Sequence, residues 1–391
     1  MVPLARASST PAIQGVSTIA VGSNPDGLAF DPFAYSNRTT GAVFVSARST
    51  DSIAVISDTS NSIVGNFSVP LSPVGIAYDS SKDELFVAGD NPSRVSVISP
   101  STHKVIANIS MGQNTGPLQA AYDPPRGEIF VSEYAASVVS VISDSSNQVV
   151  ANIGVISDPT ALAYDSSKGE IFVTNSGPDS VVSVISDASN KVVANISAGP
   201  SPEGVAYDPA RGEVFVGNEG NSVSVISDSS NKVVATISGA GGAALAYDSQ
   251  KGLIFVSGSA VSVISDSTNR VVATFPVGQQ GGYGETSIAY DILRGEVFVP
   301  NVQTNQVSII SDSAIVLNAG TTSSGTTSSS SNGPTSTGTS TSSSGNGSGS
   351  SSIPEFPYQA TATFLVVVGI VGSYLAVRGR TKNEPTSNHG R

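Results

Sequence analysis

Short runs of alternating apolar and small polar residues recur along this chain, bounded by Asp, Asn, Gly and Ser. In Ser222–Ser227 (SVSVIS), Ser and Val alternate with the period of two expected of a strand with unlike faces. Ahead of it lie two more apolar runs, Gly204–Tyr207 and Glu213–Gly217. Behind it lies Lys232–Ile237, rich in the β-branched residues that favour strands. Asp208-Pro209-Ala210-Arg211-Gly212 reads as a tight turn: Asp opens it, Pro sets φ at the next position, and Gly takes the left-handed site. Asp228-Ser229-Ser230-Asn231 turns the chain before the fourth strand. No stretch of the repeats reads as a helix.

This four-strand unit recurs seven times, anchored on Asp31, Asp79, Asp123, Asp165, Asp208, Asp248 and Asp291, at spacings of 48, 44, 42, 43, 40 and 43 residues. A period of ~40–45 residues with four strands per unit is that of a β-propeller, whose sheets stack because none buries both faces alone. The expectation is an all-β fold, a seven-bladed propeller of four-stranded antiparallel blades over residues 16–318. Val16-Ser17-Thr18-Ile19-Ala20-Val21-Gly22 matches the outer-strand pattern of Val272–Gly278 but has no first three strands before it. It is predicted to close the ring as the outer strand of the last blade, which removes exposed sheet edges. Repeat one departs by an insertion, Phe33 to Thr40, and repeat seven lacks the Asn-Lys turn.

The first turn is nearly invariant. A basic residue sits three after the anchor in six repeats (Lys82, Arg126, Lys168, Arg211, Lys251, Arg294), and a Glu opens the second strand in five (Glu84, Glu128, Glu170, Glu213, Glu296). Such regularity is expected of a solvated, self-paired structural turn rather than of a ligand site, which would break the symmetry.

Beyond the repeats the chain changes character. Residues 319–356 form a stalk of Ser, Thr and Gly, the composition of a disordered or O-glycosylated tether. Residues 357–378 read as a transmembrane helix, with a charge-free run at 359–377 long enough to cross a lipid bilayer. Residues 379–391 form a basic tail. With Glu355 before the span and Arg378, Arg380 and Lys382 after it, the positive-inside rule places the tail in the cytoplasm and the propeller outside a single-pass cell membrane. Residues 1–15 read as a leader without an apolar h-region. Ala5-Arg6-Ala7 has the form of a signal cleavage site, so this leader is either the remnant of a signal that starts upstream or a plain leader.

The composition narrows the chemistry. With 18 basic and 30 acidic residues the formal charge is −12, which repels nucleic acid. There is no Cys, and the two His are His103, in a turn before an outer strand, and His389, in the tail. No metal site is therefore expected, and no Ser-His-Asp arrangement in the core. No nucleotide motif is present and no cofactor is expected. A ligand site is expected on the face that holds the variable loops between blades and between second and third strands. Its candidate ligand-binding residues are Arg94, Glu133, Tyr134, Asn175, Asp179, Glu203, Asn218, Glu219, Tyr283, Glu285, Gln303 and Asn305. Five N-x-S/T sequons, at Asn37, Asn66, Asn108, Asn195 and Asn346, are glycosylation candidates.

Ile171-Phe172-Val173-Thr174-Asn175, with Val182–Asp187 and Lys191–Ile196, resembles the YVTN-type β-propeller repeats of microbial, especially archaeal, cell-surface proteins. The resemblance covers about residues 16–312, with Phe for the motif Tyr and Thr-Asn kept in one blade. It implies a surface-layer or adhesion-type module, with envelope proteins or polysaccharide as partners and no catalytic residues to carry over. Ile353-Pro354-Glu355-Phe356-Pro357, the apolar run and the basic tail resemble archaeal surface-protein anchors; some related Pro-Glu-Phe signals are cut by sorting enzymes. The alternative is an extracellular propeller enzyme of lactonase-like or lyase-like type, which shares the fold alone.

Overall fold

The computed structural model describes residues 15–32, 40–277 and 287–315. The stalk, the apolar span and the tail lie outside the described residues, as do Asn37, Tyr283, Glu285 and Asn346. Among the described residues no helix is long and apolar enough to cross a membrane.

Seven four-stranded antiparallel sheets form the blades, and blades 1 to 6 each run in chain order from an inner to an outer strand. Blades 1 to 6 span Pro25–Ser68, Pro73–Ser110, Pro117–Gly154, Pro159–Ser197, Pro202–Ser238 and Ala244–Phe275. Blade 7 takes three strands from Ala289–Ser311 and its outer strand from Val16–Ala20, with Val16 opposite Ile310 and Ala20 opposite Gln306. The N-terminal segment thus closes the ring as its pattern predicts. In blade 5 the strands are Pro202–Asp208, Glu213–Asn218, Ser222–Ser227 and Lys232–Ser238, longer at their ends than the apolar runs alone suggest. The described residues also hold three short 3-10 turns, Arg48–Thr50, Tyr134–Ala136 and Asp312–Ala314.

One Phe of each second strand fills the space between its blade and the next. Phe44, Phe86, Phe130, Phe172, Phe215, Phe255 and Phe298 are all but completely buried. Phe172 packs on Val205, Val214 and Val216 of blade 5, and Phe298 on Leu28 and Val43 of blade 1. Truncating such a side chain to Ala costs ~3–5 kcal/mol. On the rim, the third and outer strands of blades 1 to 6 are paired through a bulge whose extra residue is Val64, Ile106, Val150, Val193, Val234 or Val272. Bulges bend an outer strand away from flat edge-to-edge pairing.

The lower face carries the turns that follow the anchor Asp residues. The turn residues that follow are exposed, as expected of a solvated turn, while the anchor Asp residues themselves are fully buried. In blade 5, Asp208 Oδ1 accepts the N–H groups of Ala210 (2.9 Å) and Arg211 (3.3 Å), and Gly212 closes the turn at φ +62°. The basic residue then reaches across to the Asp that ends the third strand of the next blade. The nitrogen–oxygen distances are 3.1 Å for Lys82–Asp144, 3.7 Å for Lys168–Asp228, 2.8 Å for Lys251–Asp312 and 3.8 Å for Arg294–Asp58. Arg126 and Arg211 instead pair with Glu128 and Glu213 of their own turns, as expected. The belt joins blade 7 to blade 1, where Asn61 also donates to Glu296 at 3.1 Å.

The seam between blades 1 and 2 is built differently. The third strand of blade 2 ends in Pro100 instead of Asp, Asp83 replaces the turn Gly, His103 replaces the turn Asn, and Ala42 of blade 1 replaces the strand-opening Glu. These changes are coupled. In blade 4 a Cβ on Gly169 would lie 2.4 Å from Asp187 Oδ2, so the carboxylate excludes a side chain there. With Pro100 in blade 2 there is room for Asp83, whose Oδ1 takes the Tyr78 hydroxyl at 3.3 Å. In blade 5 the tyrosine donates instead to the strand-end carboxylate, Tyr207 to Asp228 at 3.3 Å. His103 stacks on Phe67 of blade 1, with ring centroids 5.0 Å apart and planes inclined by 7°.

Candidate functional site

Thr174, Asn175 and their counterparts in other blades are joints of the ring and of its hairpins. In blade 4, Thr174 Oγ1 accepts the Ala161 N–H at 2.9 Å and donates to the Glu203 carbonyl of blade 5 at 2.8 Å. Ser46 does the same between blades 1 and 2, and Ser132 between blades 3 and 4. The following Asn staples its hairpin: Asn175 Nδ2 donates to the Val173 and Val181 carbonyls and to Ser183 Oγ, and Asn218 Nδ2 to Ser224 Oγ. Both Asn residues are fully buried. Glu133, also buried, holds the same place in blade 3 and takes the Ser140 hydroxyl. With Arg94 in the strand Ser93–Ser99 and Glu203 in the strand Pro202–Asp208, five expected ligand residues thus lie in strands rather than on loops.

Of the other expected residues, Tyr134, Asp179, Glu219, Gln303 and Asn305 are exposed on upper loops. Asn305 Oδ1 accepts the Asn24 N–H, and the Arg94 guanidinium donates to the Pro70 carbonyl at 2.7 Å. Tyr283 and Glu285 lie outside the described residues. The sequons Asn66, Asn108 and Asn195 are exposed on outer strands. Their carboxamides face inward in part: Asn108 Oδ1 accepts from Ser96 Oγ at 2.7 Å and Asn195 Oδ1 from Ser183 Oγ at 2.8 Å.

The inner strands enclose a central well of about 180 Å³. It is lined by Leu28, Ile76, Leu162, Val205, Leu245 and Ile288, with Gln119 and Ser287, and more of the surface left open to it is polar than apolar. These residues come from the upper part of each inner strand, so the well lies beneath the upper loops.

Two acids occupy one repeat position of the inner strands, five residues before the anchor: Asp26 in blade 1 and Glu203 in blade 5. Both are buried. Their environments differ. Arg48 lies 4.0 Å from Asp26 and pairs with Asp90 of blade 2. No cation is paired with Glu203 among the described residues: its carboxyl is pushed up to about 7, first by burial and then by the charge of Glu219. The upper loops of blades 3 to 6 hold no Lys, Arg or His among the described residues. Asp26, Arg48 and Asp90 escaped sequence reading; alignment on the anchor would have placed Asp26 with Glu203. The described residues bring together no cluster of three or more metal-ligating side chains.

The sequence matches no family model and no curated protein. Among solved structures the chain is similar to Kuenenia stuttgartiensis hydrazine synthase, with a TM-score of 0.63 and 17% identity over 77% of this chain and 99% of that one. At this identity the likeness shows the propeller fold alone.

Proposed function

We propose that this protein is a recognition module of the cell surface, of the YVTN-repeat type. Its propeller stands outside the membrane on the stalk at 319–356, anchored by the span at 357–378, and its upper face engages envelope protein or polysaccharide. One observation carries the reading. The polar residues that repeat from blade to blade are engaged within and between blades on the lower face, whereas the upper loops differ from blade to blade. Function concentrates in such loops on a rigid scaffold. The resemblance of the C-terminal segment to surface-protein anchors supplies the placement.

The test is external proteolysis of intact cells carrying the full chain, tagged at the C-terminus. The expected result is release of a propeller fragment while the tagged tail stays with the membrane. Protection of the propeller until the cells are lysed would overturn the reading.

A second reading, a propeller hydrolase or lyase, draws on Glu203, a buried carboxyl near neutrality and hence suited to proton transfer. Turnover in a lactone-hydrolysis screen that is lost in Glu203→Gln would favour it.

A further inference from the structure

The outer strand of blade 7 is unlike the other six. In blades 1 to 6 the outer strand carries an extra residue against the third strand, a bulge that interrupts its edge. In blade 7 the pairing is regular: Val16 lies opposite Ile310, Thr18 opposite Ser308 and Ala20 opposite Gln306, with no shift of register. Val16–Ala20 is the edge of its sheet, with Gln306–Ser311 on one side and no strand on the other among the described residues. Its sequence, Val-Ser-Thr-Ile-Ala, has no charge, no Pro and no sequon. Natural sheets keep their edges from pairing with another chain by bulges, charges and Pro, and this strand has none of the three.

The register shows which backbone groups are free. The Ser311 N–H donates to the Gly15 carbonyl and the Val21 N–H to the Asn305 carbonyl, each at 3.0 Å. Bonded residues alternate along an antiparallel strand, so Gly15, Ser17, Ile19 and Val21 bond inward. Val16, Thr18 and Ala20 therefore turn their N–H and carbonyl groups outward, and the side chains of Ser17, Thr18 and Ala20 are exposed.

We propose that this edge is a self-association site, at which two copies of the chain pair antiparallel through Val16–Ala20 about a two-fold axis at Thr18. The register is self-complementary. On that axis Thr18 stands opposite its own counterpart and Val16 opposite Ala20, so every outward group is paired in about six new ladder hydrogen bonds. Thr–Thr pairs are favourable across strands, and no like charges are opposed. An isologous contact of this kind uses up the edge, so assembly stops at the dimer. The leader ahead of the strand is a poor occupant, because Pro3 and Pro11 cannot donate to a ladder. One strand a side is a small contact beside a standard interface, so pairing is weak in dilute solution and grows where copies are concentrated on one surface. The proposal concerns the rim rather than the upper face and does not depend on the recognition reading.

The chain has no Cys, so a single introduced thiol reports the contact. Thr18 and Thr236 hold the same exposed repeat position on the outer strands of blades 7 and 5, opposite Ser308 and Ser224. Under mild oxidation of the full chain in nonionic detergent, Thr18→Cys is expected to form a disulfide-linked dimer about tenfold faster than Thr236→Cys, since paired strands hold opposite residues within disulfide reach. Light scattering of the wild-type chain should show a monomer–dimer equilibrium at high concentration. Thr18→Pro should abolish it while the protein still melts cooperatively, because the N–H it removes points outward and takes no part in the blade. Thr18→Lys, which leaves the backbone intact and opposes two like charges on the axis, should abolish it as well. Equal cross-linking rates at the two positions, or a dimer that survives Thr18→Lys, would overturn the proposal. So would a Thr18→Cys thiol shielded from maleimide in the monomer, since another segment of the chain would then cover the edge.

Discussion

Glu203 and Asp208 stand at opposite ends of the same inner strand of blade 5, both buried and both acidic. Asp208, on the lower face, recurs in every blade and accepts two N–H groups of its own turn. Glu203, on the upper face, has a counterpart acid only in Asp26 among the described residues, and burial and the charge of Glu219 raise its carboxyl. The difference separates two uses of a buried carboxylate. One organises a turn and feeds a belt between blades, so removing it breaks the scaffold. The other is raised toward neutrality by burial and by the charge of Glu219, so it takes up a proton more readily than an exposed glutamate.

The comparison is broken most severely by removing a lower-face anchor. Asp165 Oδ1 accepts the Ser167 N–H at 2.8 Å, the Ser167 hydroxyl at 2.7 Å and the Lys168 N–H at 3.2 Å. Asp165→Ala takes the acceptor from three part-buried donors and empties a buried site, and is expected to destabilise the propeller by about 2 kcal/mol, read by denaturant unfolding. Stability within about 0.5 kcal/mol of wild type would show that the anchors are dispensable.

The seam between blades 1 and 2 sharpens the point, because there the lower-face device is replaced as a set. Pro100→Asp alone crowds a second carboxylate against Asp83, and Asp83→Gly alone takes from Tyr78 one of its two carboxylate partners, Asp83 and Asp31. Together they restore the Gly-and-Asp pattern of the other blades. A double-mutant cycle is expected to show a favourable coupling of about 1 kcal/mol; strict additivity would mean the two positions are independent.

A smaller loss, about 1 kcal/mol or less, is expected for Lys251→Met, since its ion pair with Asp312 is partly exposed. The loss should shrink further in high salt, and an effect insensitive to salt would argue against an electrostatic belt.

The smallest effect is a matter of pH. Glu203 is raised from 4.5 to about 7, so the folded state holds its proton more tightly than the unfolded chain does. The stability this contributes is fully present below about pH 4.5 and is lost as pH rises to about 7. Asp123 and Asp291, each raised to about 6, act in the same direction at lower pH. Between pH 6 and 8, therefore, Glu203→Gln should flatten the decline in melting temperature that the wild-type protein shows. An unaltered slope in the variant would place the titration elsewhere.

Much of the architecture is legible in the residues themselves. The anchor spacing announces the blade count, and the Val16–Gly22 pattern announces the closing strand, because outer strands alternate in a way that needs no long-range information. The turn at Asp208 is readable for the same local reason. The upper face is not. Glu133, Asn175 and Asn218 look like loop residues because the apolar run stops just before them. The hydrogen-bond ladder nevertheless continues through them, held by Ser140, Ser183 and Ser224 on the neighbouring strand. Burial of Glu203 is equally invisible in a single strand, since it depends on a bulge and on the approach of blade 4.

The account rests on the contrast between the two ends of that one strand. Its most direct test is thermal unfolding at pH 8 of Asp208→Ala and Glu203→Gln beside the wild-type chain. Asp208→Ala is predicted to lower the midpoint by several degrees, while Glu203→Gln leaves it unchanged or raises it. A Glu203→Gln midpoint that falls as far as that of Asp208→Ala would contradict the account, because the upper carboxylate would then be part of the scaffold.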